Sequence, residues 1–181
     1  MAEEKDTELV IAYFPSLDAA KAAGNEMKEW DKDLKHFELG AISILSMDAN
    51  GKLKEDKIGV RSGGKGAKWG VIAGAALGIL SGGVTLIGGA LIGLAAGGIG
   101  GSLIHKKIGM TDEDQAKLEQ HLKDGGAALG IMLDPEEMEA VVYELKQLDA
   151  EVATYNIPQA VFDEVDRIAK SNQVMHDLAE G

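Results

Sequence analysis

The residues best placed to do chemistry are Gly59-Val60-Arg61-Ser62-Gly63-Gly64-Lys65, which fit the G-x-x-x-x-G-K pattern of a phosphate-binding loop. Such a loop works because backbone N–H groups cradle phosphates while the lysine reaches their terminal oxygens. Asp134, after Ile131-Met132-Leu133, offers a downstream acid for a metal. The pattern fails where the chemistry needs it. Gly66 stands where Ser or Thr must hold Mg²⁺. The helix behind it would be apolar and glycine-striped, not one packed on a parallel sheet. Asp134 precedes Pro135, where it serves better as a helix cap. A basic linker is the better reading.

The other candidates fare no better. His36, His105, His121 and His176 are scattered, and none has a second ligand at metal-binding spacing. His105 belongs to a positive cluster, and His121 and His176 fall on polar faces of helices. Asp48-Ala49-Asn50-Gly51 begins like a calcium loop but lacks the later ligands and the distal glutamate, so it reads as a turn. No serine sits in a G-x-S-x-G elbow. The acids Asp112 to Asp114 and Asp134 to Glu137 are placed to start helices. Met27, Met47, Met132 and Met138 fill core positions. The reading is a non-enzyme with no catalytic residue, no metal and no cofactor.

What remains is a pattern of glycines. Between Lys68 and His105 lie 36 residues without a charged side chain. Glycines fall there at Gly70, Gly74, Gly78 and Gly82, then at Gly89, Gly93, Gly97 and Gly101. A four-residue step puts each run on one face of a helix. The two runs mirror each other, as two bare stripes must if they are to meet along an antiparallel hairpin turning between Ser81 and Gly88. In water each such glycine costs roughly 1 kcal/mol against alanine. Close backbone approach and an apolar surrounding offset that cost.

The flanks orient the hairpin. Arg61, Lys65, Lys68 and Trp69 precede it, and His105, Lys106 and Lys107 follow it. A chain of net charge −12 has gathered cations at both feet of one apolar segment. With Trp69 at the boundary, both ends are expected on the cytoplasmic side, with Lys65, Lys68, Trp69, His105, Lys106 and Lys107 against headgroups. An arm of about 15 residues reaches roughly 22 Å, against about 30 Å for a full span. Dipping into the bilayer, thinning it, and burial between subunits all stay open.

The excess of acids, 30 Asp and Glu against 18 Lys and Arg, argues against a nucleic-acid surface. With no cysteine there is no disulfide framework. Met1 to Asp6 is charged, without the apolar core of a secretory signal.

Around the hairpin the pattern predicts regular elements. Glu8 to Phe14 is a buried strand, and Ser16 caps a helix from Leu17 to about Asp33 that turns Leu17, Ala20, Met27 and Trp30 inward. Phe37 to Met47 is a strand, Asn50-Gly51 a turn, and Lys57 to Val60 a short returning strand. Thr111 caps a helix to about Lys123, and Gly125-Gly126 stops it. Ala127 to Leu133 is a strand. Asp134-Pro135-Glu136-Glu137 starts a helix to about Leu148 with Met138, Val141, Val142 and Leu145 on one side, and Glu151 to Ile157 closes as a strand. A last helix follows Pro158, with Phe162, Val165, Ile168 and Ala169 at helical spacing; its apolar stripe suits the sheet or, better, a second subunit. Two βαβ halves bracketing an insertion predict an α+β, ferredoxin-like sandwich with its helices on one face. The expected division is 7–62 for the first half, 63–107 for the hairpin, 108–157 for the second half and 158–181 for the C-terminal helix.

With the zipper and the run IMLDPEEMEAVVYELK in view, the chain resembles over residues 7 to 157 the bacterial domain-of-unknown-function family twelve sixty-nine. That resemblance implies membrane association and a stress role. The family has no agreed catalytic residues, so it implies no reaction.

The expectation is a membrane-associated protein on the cytoplasmic face of the inner membrane, its partners being the bilayer and other copies of itself. Leu77, Ile79, Leu86, Leu91, Ile92 and Leu94 would meet lipid or neighbouring subunits. No nucleic acid and no small-molecule substrate is implied. The alternative is a soluble cytoplasmic homo-oligomer or compartment that buries its hairpins in an apolar interior and binds a small apolar ligand. A conducting pore is the weakest reading, because nothing ionisable lies within the apolar stretch.

Overall fold

The computed structural model describes residues 7–33, 39, 41–51, 53–60, 108–161 and 163. The glycine runs, the basic feet, His36, His176 and the C-terminal helix beyond residue 163 lie outside the described residues. The elements are β1 (Thr7–Phe14), α1 (Leu17–Asp33), β2 (Ala41–Met47), β3 (Leu53–Val60), α2 (Asp112–Lys123), β4 (Ala127–Leu133), α3 (Met138–Gln147) and β5 (Glu151–Ile157). The fold is α+β, built on one five-stranded sheet in the order β3-β2-β4-β1-β5, with every neighbouring pair antiparallel. The connections β1-α1-β2 and β4-α3-β5 each step over one strand, so β1 and β4 become the paired centre.

Those two central strands explain their own composition. ELVIAYF and AALGIML run almost without a polar residue because both faces of the sheet are covered. One face carries Val10, Ala12, Phe14, Ile42, Ile44, Leu129, Ile131 and Leu133 against Ala20, Ala23 and Met27 of α1 and Val141 and Leu145 of α3. The other carries Leu9, Ile11, Tyr13, Leu45, Met132, Tyr155 and Ile157 against Leu118 and Leu122 of α2. Helices on one face alone is therefore corrected: α2 lies on the opposite face from α1 and α3. Successive strand side chains alternate between faces, and a strand apolar at every position needs a partner layer on each side.

Local chemistry sets the element ends. Ala19 N donates to Ser16 Oγ at 3.1 Å, the expected cap of α1. Leu17 and Trp30 pack at the margin of the core, while Ala23 and Gly24 join Ala20 and Met27 inside it. At Gly24 the helix comes so close to β3 that an added Cβ would lie 2.3 Å from Ile58 Cδ1. The β2–β3 turn closes as Gly51 N donates to Asp48 O at 2.9 Å, with Gly51 at φ 74°. Asn50 N donates to Asp48 Oδ1 at 2.8 Å, so the would-be calcium residues make a turn. β3 starts at Leu53, four residues before the expected Lys57.

Asp134 stands at the predicted helix start but makes no side-chain cap. Pro135–Glu137 forms a 3₁₀ turn first, closed by Glu137 N donating to Asp134 O at 3.0 Å, and α3 begins at Met138.

Candidate functional site at the base of the glycine-rich insertion

The insertion is spliced between an edge strand and a helix. It leaves from β3, whose last residue Val60 pairs with Ala41. A register shift between Ile42 and Ser43 leaves Ile58 as the extra residue of a bulge, seated towards Gly24. Asp56, also towards α1, pairs with Lys21 at 3.3 Å. Both groups are about half exposed, so the pair adds little stability; it sets how the edge strand lies on the helix.

The chain is described again from Ile108, at 3% exposure, and Met110, at 2%, both within the α2-side core. Gly109 between them sits at φ 78°, a turn a side chain would strain. Thr111 then caps α2 reciprocally. Asp114 N donates to Thr111 Oγ1 at 3.1 Å, and Thr111 N donates to Asp114 Oδ2 at 2.9 Å. Asp112, Glu113 and Asp114 complement the positive end of the helix dipole.

Beneath α2 lies a polar cluster. Asp114, Lys117 and His121 recur at three- and four-residue spacing, so they line one face of the helix. The Asp114 carboxylate also acts on the Tyr155 hydroxyl and helps to hold its proton. Lys117 pairs with Glu151, and its ammonium stands 5.4 Å from the centre of the Tyr13 ring. The Tyr13 and His121 rings meet edge to face, 5.2 Å between centroids. Burial, followed by the negative charges of Asp114 and Glu151, pushes the Tyr13 phenol up to about 12. Burial likewise raises Tyr155, with further contributions from the Asp114 charge, from Tyr13 and from the Asp114 side chain.

These groups are engaged with one another. The tyrosines hold their protons, Lys117 is paired with an acid, and one nitrogen of His121 faces the backbone. The arrangement suits a clamp that fastens α2, the first element after the insertion, onto β1 and β5. His121 is therefore half-buried at an anchor point and not on a polar helix face. The i, i+3, i+7 spacing on α2 was the sequence signal for this cluster. Its partners on β1 and β5 lie far away in the chain and carry no local signature.

No group of three or more His, Cys, Asp or Glu among the described residues could hold a metal ion. Among the described residues no helix is long and apolar enough to cross a membrane. The remaining predicted site residues, Gly70, Gly74, Gly78, Gly82, Gly89, Gly93, Gly97, Gly101, Lys65, Lys68, Trp69, His105, Lys106 and Lys107, lie outside the described residues.

A family model described as "Protein of unknown function (DUF1269)" matches residues 66–169. The match runs from inside the glycine-rich insertion through α2, β4, α3 and β5, more than half of the chain, and the chain belongs to that family. No curated protein and no solved structure matches it.

Proposed function

We propose that this is a non-enzymatic, membrane-associated protein whose α+β head holds a glycine-striped helical hairpin at a lipid surface, where hairpins of neighbouring copies pack together. The observation that carries the proposal is the composition of residues 61–107. That segment has no acid, a charge-free interior with two mirrored glycine runs, and cations only at its ends, within a chain otherwise dominated by acids. Cations bordering an apolar segment suit the anionic headgroup layer, at about 1 kcal/mol for each lysine near it. Glycine stripes suit helices that associate where backbones can approach closely.

The head fits this role as a ferredoxin-like unit with one strand added. Without β3, the strand order is β2-β4-β1-β5, as two interlocked βαβ halves produce, with α1 and α3 on one face. The added β3 and the helix α2 are the two elements flanking the insertion, so the departures from the simple fold are where the hairpin attaches.

Flotation of the full chain on liposomes with and without anionic lipid, with carbonate extraction and size measurement, tests the reading. The expected result is flotation that needs anionic lipid and resists carbonate, with loss of assembly in Gly74→Leu/Gly78→Leu or Gly93→Leu/Gly97→Leu. Wild-type size and partition in those variants would refute the zipper. A large particle that stays in the aqueous fraction without detergent would instead identify the soluble oligomer, a reading favoured by the short arms.

A further inference from the structure

We propose that the outer edge of β5 is a two-fold interface between copies of this chain, with β5 pairing antiparallel to its own copy about Thr154. The two ends of the sheet are built differently. β3 carries Lys54, Glu55, Asp56 and Lys57 and is bent by the bulge at Ile58, devices that discourage a further strand from adding. β5 has none of them. Its register with β1 runs unbroken from Thr7↔Ile157 to Tyr13↔Glu151, and it contains neither proline nor lysine. Its single charged residue, Glu151, is already paired with Lys117. Asn156 Nδ2 donates to Glu8 Oε1 at 3.1 Å, which engages the acid on the neighbouring strand. In a chain of net charge −12 this is a nearly neutral seam with a full row of backbone groups.

The strand is also complementary to itself. Centring the two-fold on Thr154 overlaps all seven residues of Glu151–Ile157 and keeps each face of one sheet continuous with the same face of the other. Thr154 then faces Thr154 of the second copy, a favourable cross-strand pair. Ala153 faces Tyr155, Val152 faces Asn156 and Glu151 faces Ile157, so no like charges oppose. The apolar layer beneath α2 reaches this seam through Tyr155 and Ile157, both buried. Just beyond β5 the chain makes a turn, with Val161 N donating to Pro158 O at 2.9 Å and Val161 buried within the same cluster. The pairing makes a ten-stranded sheet with β3 at both ends. It does not depend on association of the glycine stripes.

The chain has no cysteine, so single-cysteine variants of the full-length protein report directly. Thr154 and Glu139 are both exposed, one on the edge strand and one on α3. Under mild oxidation Thr154→Cys is expected to form a disulfide-linked dimer and Glu139→Cys is not, because the proposed axis passes through Thr154, within bridging range of its copy, and not through α3. The linked dimer is expected to persist when Gly74→Leu/Gly78→Leu is added, which separates this contact from the hairpin contact. Thr154→Lys, with unchanged circular dichroism, is expected to weaken dimerisation by about tenfold. An unlinked Thr154→Cys variant would overturn the proposal, whether the protein sediments as a monomer or the edge is covered by residues 164–181. Equal linking at Glu139, or a Thr154→Lys dimer as strong as wild type, would overturn it too.

Discussion

His121 Nε2 lies 2.8 Å from the carbonyl oxygen of Phe14, a contact between residues 107 apart in the chain. A carbonyl can only accept, so the imidazole must carry its proton on Nε2 and donate it. The ring fits because residue 126 is glycine: a Cβ there would come within 2.3 Å of Nε2. Gly126→Ala should displace the ring and cost about 1–3 kcal/mol. His121→Ala should cost a similar amount, and the double variant much less than the sum. Additive losses in urea melts would show that glycine and ring are not coupled.

Alkaline pH should destabilise the head through its buried phenols. Tyr13 is held up to about 12 in the folded chain, against about 10 when unfolded. Between those values the unfolded state releases the proton and the folded state keeps it, so unfolding becomes easier as pH rises. The stabilisation is complete below about pH 10 and is lost towards about pH 12. Tyr13→Phe should flatten that slope in denaturant midpoints taken across the window; an unchanged slope would assign the effect elsewhere.

The capping box sets the start of α2. Thr111→Val removes the acceptor for Asp114 N and the hydroxyl bonded to Asp114 Oδ2 at 2.9 Å. A loss of about 0.5–2 kcal/mol is expected, with Thr111→Ser close to wild type. Amide exchange should quicken first at Asp112 to Gln115. Uniform quickening along α2 would contradict a role local to the cap.

Gly24 should tolerate little enlargement. Beyond Ile58 Cδ1, an added Cβ would lie 3.3 Å from Leu129 Cδ1 in the core. Gly24→Leu is expected to destabilise by about 1–3 kcal/mol despite better helix propensity. Adding Ile58→Ala should restore part of that. No restoration would mean that α1 does not bear on β3 through this pair.

Lys65→Gln, Lys68→Gln, Lys106→Gln and Lys107→Gln, combined, should weaken binding to anionic vesicles by about 1 kcal/mol for each residue lost, while flotation on neutral vesicles changes little. Equal losses on both vesicle types would remove the headgroup role.

The sequence was most legible where local patterns dominate. α1, β4 and β5 lie where their apolar patterns and caps put them, and Thr111 caps as expected. The first half of β3 was hidden because Lys-Glu-Asp-Lys reads as a loop. Those charges belong to an edge strand, where Asp56 reaches Lys21 and Glu55 accepts from Ser43 Oγ at 3.2 Å. The side taken by α2 follows from the two-faced burial of β1 and β4, a relation between segments and not a property of either. His121 was obscure for the same reason, since its partners Tyr13 and Phe14 precede the insertion. Of the candidate site, the clamp under α2 was visible only as a spacing on one helix.

The bulged border strand β3 has a mechanical consequence. A load drawn through residue 61 would meet the sheet at the Val60–Ala41 rung and peel β3 from β2 one rung at a time, past the wedge of Ile58 against Gly24. The central pair β1–β4 lies further in, with β2 between it and the border strand. On the residue-61 side of the insertion the domain thus carries a sacrificial outer strand ahead of the strands that hold it together.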